Sequence, residues 1–240
     1  MKPIRRWLAG LLCAALLTGL LPTGALAVGM QSPFPEGGTL TSSTYTLTDD
    51  VKLTRNLTVN SGVTATINLN GHTLTGTGTG TGSVITVNSG GSLTLQDSSG
   101  SGKVTGGAIP EDANQSSWML GAAVTVAGGT FEMEGGTITG NDASHCDGVV
   151  NVSNGGTFTM TGGEISVNTG TGLNVTGSGS SATIGRGAAI SENTVTTDGA
   201  SGGGVHVIDS GSVTLNGGTI SNNTVPENGG GVFINSGTFT

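Results

Sequence analysis

The sequence predicts an all-β fold, a right-handed parallel β-helix with three short strands per coil. Three observations lead there. A heptad recurs almost unchanged: "GGTITGN" at 135–141, "GGEISVN" at 162–168 and "GGTISNN" at 217–223. Around each copy, apolar residues alternate with period two, the period of a strand and not of a helix. Glycine supplies 46 of 240 residues while 34% of the chain stays apolar and only 9% is charged. That composition fits a turn-dense β protein. Collagen would need glycine at every third position and abundant proline, and a disordered chain would need few apolar groups or a high net charge.

The elements follow in order. Residues 1–27 read as a signal peptide. Lys2, Arg5 and Arg6 form a positive start, Trp7 to Leu21 an apolar run, and Ala25-Leu26-Ala27 a small-x-small cleavage site. The apolar run is short for a stable membrane span. Cleavage after Ala27 is expected, giving a secreted or cell-surface protein that starts at Val28 and inserts in no membrane. Four basic residues then remain, Lys52, Arg55, Lys103 and Arg186, against fifteen acidic ones, a net charge of −11. Such a surface repels nucleic acid. Cys13 leaves with the signal, so Cys146 stands alone and no internal disulfide forms. Stability must come from packing and backbone hydrogen bonds, and the lack of disulfides in an exported β protein suggests a bacterial source.

Residues 28–55 read as an N-terminal extension in which "TYTLTDDVKL" (44–53) pairs onto or caps the open end of the stack. Residues 56–240 read as the β-helix itself. Each coil carries a first apolar pair (Val124 and Val126, Val150 and Val152, Leu173 and Val175, Val205 and Val207, Val232 and Ile234) and then a glycine turn. A second pair follows (Phe131 and Met133, Phe158 and Met160, Ala182 and Ile184, Val213 and Leu215), then another turn. An anchor closes the coil (Ile138, Ile165, Ile190, Ile220), and an asparagine stands three residues on (Asn141, Asn168, Asn193, Asn223). Upstream, Leu57 and Val59, Ile67 and Leu69, then Leu74 make one coil; Ile85 and Val87, Leu93 and Leu95, then Val104 make the next. Anchors are 27, 25 and 30 residues apart, the period of a stacked repeat whose turns absorb insertions. The asparagines are expected to stack as an amide ladder just outside the core. The last copy, "GVFINSGTFT", offers two strands and no anchor, so further coils or domains are expected downstream of Thr240.

"LNGHTL" (69–74), followed by repeats of the type "GGTFTMTGGEIS", resembles the right-handed parallel β-helix, or pectin-lyase-like, superfamily. Within it the chain is most similar to the large repetitive surface proteins of bacteria. The GG-[TE]-I and I-x-x-N elements are also similar to repeats of polymorphic outer-membrane proteins, with Ile where those carry Phe. The resemblance covers about residues 40–240. It implies the fold, which lyases, hydrolases and adhesins share, and leaves function to the site.

Enzymes of that superfamily act on polysaccharides and need paired carboxylates, or acidic calcium ligands with a basic residue. Here the one Asp-Asp, Asp49-Asp50, falls in the presumed cap, and His72 sits in Gly-His-Thr. Lys103 and Arg186 have no acidic cluster on a matching strand. "NDASHCDG" (141–148) gathers Asp142, His145, Cys146 and Asp147 in one turn, but no second cluster and no distant basic partner is apparent, so a polar loop is expected. His206, out of phase with Val205 and Val207, should face solvent. "AIPEDANQSSWML" (108–120) reads as an excursion folded back on Trp118, with sugar stacking as the alternative. No residue is therefore assigned to catalysis, to a cofactor or to a metal. The expectation is a secreted, non-catalytic, adhesin-like or structural repeat protein with glycans or a host surface as partners; the alternative is a polysaccharide lyase or glycoside hydrolase.

Overall fold

The computed structural model describes residues 32–77, 83–109 and 120–240. The signal peptide and Trp118 lie outside the described residues. What is described is a right-handed parallel β-helix. Three parallel sheets run along the stack, and the chain visits them in rotation, so that sheet neighbours are three strands apart in sequence. Sheet I has seven strands, from Leu57–Val59 to Val232–Asn235; sheet II has eight, from Thr44–Thr46 to Thr238–Phe239; sheet III has seven, from Val51–Lys52 to Thr219–Ser221. A representative coil is Gly148–Ser153, Thr157–Met160 and Gly163–Ser166.

Register explains why the repeat has to repeat. In sheet II, Phe131 stands between Leu93 and Phe158, and Met133 between Leu95 and Met160. In sheet III, Val104, Ile138, Ile165, Ile190 and Ile220 form one column. Like stacks on like, and from Leu57 to Ile190 these columns are sealed from solvent. The rings of Phe131 and Phe158 lie 5.1 Å apart and 13° from parallel. A single coil would leave both faces of each side chain open; a stacked one buries them. The strand phase read from the sequence is the one observed.

Residues 44–53 pair onto the stack. Tyr45 meets Ile67 in sheet II and Val51 meets Leu74 in sheet III. With Leu40 and Leu47 buried, this segment forms a coil continuous with the rest. Phe34 packs on Tyr45 at 5.4 Å.

The asparagine ladder is present, but deeper than expected. Asn141, Asn168 and Asn193 are no more than 3% exposed. Each Oδ1 accepts from the preceding ladder residue: Asn168 from the backbone N–H and Nδ2 of Asn141, Asn193 from those of Asn168, Asn223 from those of Asn193. Each Nδ2 also donates to an anchor carbonyl, as Asn168 does to Ile138 and Asn193 to Ile165. Over Asn193, burial comes from the glycine that opens the sheet I strand of the same coil. A Cβ on Gly172 would lie 2.9 Å from Asn193 Nδ2 and 2.9 Å from the Gly204 carbonyl oxygen, so only glycine closes over the amide there. The residue just before each asparagine is left-handed: Gly140, Val167, Glu192 and Asn222 have φ of 64°, 54°, 56° and 54°.

A cleft between two inserted turns

After each ladder asparagine the chain turns back to sheet I, and the turns differ in length. From Asn168 to Gly172 the connection is short. It is flanked by two longer ones, Asn141 to Gly148 and Asn193 to Gly204. All three start in register, since Asp142, Thr169 and Thr194 are bridged in parallel. Two long turns beside a short one leave a gap. Its floor is Gly170 and Thr171, and its walls are residues 143–147 on one side and 195–201 on the other. Gly170 keeps the floor low: its φ is +106° and a Cβ would lie 2.6 Å from that of Ala143. The walls touch where Thr197 Oγ1 donates to the Ser144 carbonyl at 3.3 Å. Beyond the floor the gap runs onto the outer face of sheet I, over His206, Ile208, Asp209, Phe233 and Asn235. The whole cleft measures about 750 Å³, within the range of small-molecule sites.

The structure thus brings the 142–147 turn together with a basic residue sixty positions on, which overturns the reading that this turn has no distant basic partner. His206 is also not simply solvent-facing. It points outward from sheet I, as its phase requires, but it is half-buried. A Cβ on Gly202 would sit 2.8 Å from its Cβ, and the ring of Phe233, its partner in register, lies 5.4 Å away. Burial lowers its pKa, and the Asp209 charge partly opposes this. The signal was present in the sequence: His206 and Phe233 occupy the same outward position in successive coils. Their meeting with the turn depended on loop lengths in three coils at once.

Two groups of the turn are strongly perturbed. Burial pushes the Cys146 thiol up to about 12, with Asp147 and Asp142 adding repulsion against hydrogen bonds that favour the thiolate. Its Sγ donates to the Gly148 carbonyl at 3.5 Å. At neutral pH it is a thiol, and a thiol is a poor nucleophile and metal ligand. Asp147 is raised to about 6, first by burial and then by Asp209. Asp142 faces away and holds the N–H of Ser144 at 3.0 Å. Among the described residues no group of three or more His, Cys, Asp or Glu is placed to hold a metal ion.

The other candidates lie elsewhere. Asp50 and His72 meet, with 3.7 Å between Asp50 Oδ1 and His72 Nδ1. Asp50 Oδ1 also accepts the Thr73 N–H at 2.8 Å, a register contact between neighbouring coils. Lys103 is exposed on sheet III and Arg186 in the turn after Ser181–Gly185; neither lines the cleft. Next to His206 in register, Asn174 is fully buried; its Nδ2 donates to Asn151 at 2.7 Å while its Oδ1 has no donor. Compared with known proteins, the chain finds no counterpart: no family model, no curated protein and no solved structure matches it.

Proposed function

We propose that this is an exported, cell-surface β-helix of the pectin-lyase-like kind, adhesin-like in role, which binds a glycan in its lateral cleft without cleaving it. One observation carries the reading: a regular stack departs from its period on one side, and there the departures enclose a cleft. In solenoids, insertions gathered on one face mark the binding face. The lining suits a sugar, with Phe233 and Ile208 as apolar platforms and Thr171, Thr197, Ser201 and Asn235 as hydrogen-bonding groups. The protonated Cys146 supports a binding role over thiol chemistry.

A second reading is favoured by one specific feature. Asp147, raised to about 6, lines the same cleft as Asp209, and a carboxyl held up in this way can serve as the acid on a glycosidic bond beside a second carboxyl. Incubation with a panel of pectins and neutral glycans, with and without Ca²⁺, separates the two. Retention of a glycan, lost in Phe233→Ala, with no new reducing or unsaturated ends, supports the binding role. Chain cleavage abolished by Asp147→Asn establishes the enzyme and refutes the first reading.

A further inference from the structure

Two carboxyls line the cleft, Asp147 and Asp209. Among the described residues, no hydrogen bond or ion pair reaches the Asp147 carboxyl, although it is half-buried in the cleft wall. Among the described residues, Asp209, at the other side, receives only a long contact from Thr176 Oγ1 at 3.4 Å. No Lys or Arg lines the space. Asp209 is exposed to solvent, but the half-buried Asp147 carboxyl is costly to leave unpaired unless a ligand supplies donors. Two carboxyls that repel each other are relieved by a positive charge placed between them. The Phe233 ring adds a surface that attracts cations as well as sugar faces.

Resting on the glycan-binding reading, we propose that the ligand carries a protonated amine, an amino sugar whose ammonium sits between Asp147 and Asp209 while its ring packs along His206 and Phe233. The ammonium donates three hydrogen bonds, which the two carboxyls can accept. Charge-assisted pairs of this kind are the strong ones. The net negative charge of the exported chain draws such a ligand in and turns anionic sugars away.

Calorimetric titration of the secreted protein with the disaccharide of glucosamine, with its N-acetylated form and with cellobiose tests this. The amine-bearing disaccharide should bind, and the two neutral sugars, matched in size, should bind about tenfold more weakly or worse. Asp147→Asn and Asp209→Asn should each remove most of that preference, with thermal unfolding showing that both variants fold. Equal or better binding of the neutral sugars, unaffected by either variant, refutes the ammonium and leaves the glycan reading standing. Saturation by Ca²⁺ alone, abolished by the same variants, also overturns the proposal, since the carboxyls would then be cation ligands. Binding by none of the sugars removes both readings.

Discussion

Replacing Asn168 with alanine tests the ladder inside its buried stretch. The side chain accepts from the backbone N–H of Asn141 at 3.0 Å and from Asn141 Nδ2 at 3.0 Å. It donates to the carbonyls of Ile138 and Ser166, each at 3.0 Å, and to Asn193 Oδ1 at 2.9 Å. Truncation strands the Asn141 N–H, which no water reaches. A buried orphan costs about 1–3 kcal/mol, and each further lost bond about 0.5–1.5 kcal/mol net. Asn141 Nδ2 keeps the Val104 and Thr139 carbonyls, and Asn193 Oδ1 keeps the Asn168 N–H, so these losses are partial. The expected cost is about 3–5 kcal/mol. Asn223→Ala, where the ladder is half-exposed and water substitutes, should cost about 1–2 kcal/mol. Asn168→Asp keeps the shape but turns an acceptor on the Ile138 and Ser166 carbonyls. It should be at least as damaging as alanine at neutral pH and recover in part on acidification. Urea unfolding gives the totals, and hydrogen exchange at the Asn141 amide gives the local term. Equal midpoints for the 168 and 223 variants, or unchanged protection at Asn141, would refute the ladder as a source of stability.

Val167 holds a left-handed conformation at φ 54° while 58% exposed, a costly place for a β-branched residue. Val167→Asn should raise the unfolding midpoint by the equivalent of about 1 kcal/mol, and a lowered midpoint would show that the side chain makes contacts worth more than the strain. Phe158→Ala opens the stacked ring column and should cost about 3–5 kcal/mol, whereas Thr159→Ala on the outward face of the same strand should cost under about 1 kcal/mol; equal losses would contradict the phase. Asp147 has a folded pKa of about 6 against an ordinary 3.8, so the folded state binds the proton more tightly and stability falls as pH rises between those values. The full shift corresponds to about 3 kcal/mol, reduced to about 1–2 kcal/mol by solvent screening of a half-buried group. Asp147→Asn should therefore stabilise above pH 7 and flatten the acid-side slope relative to the parent chain, in which His206 contributes the opposite trend; unchanged slopes in melting curves across pH 4–8 would argue against a buried carboxyl.

How far the sequence discloses this structure depends on whether a feature is local or shared among coils. The apolar pairs Val150 and Val152, or Phe158 and Met160, reveal their strands because side-chain direction alternates within a few residues. The anchors, 27, 25 and 30 residues apart, reveal the stack because each repeats its neighbour. The ladder was legible as a column but not in depth, since the burial of Asn193 comes from a glycine at the start of its own coil, twenty-one residues back in the chain. The cleft was not legible at all. His145, Cys146 and Asp147 invite attention by clustering, yet the groups facing them, His206, Asp209 and Phe233, are 59 or more positions away. They meet only because a short turn lies between two long ones. The anchor spacing recorded that inequality of lengths but not which side of the stack it would open.

The ladder also has a mechanical consequence. Its amide bonds run along the stack, parallel to the backbone bonds joining the coils. A pull on the chain therefore loads one coil at a time, because the outermost must shed its three strands and its asparagine before the next bears force. Each release frees one anchor interval of 25 to 30 residues, roughly 80–105 Å of extended chain. Under a pull on its ends, the protein would lengthen in discrete steps, dissipating load while the remaining coils stayed folded.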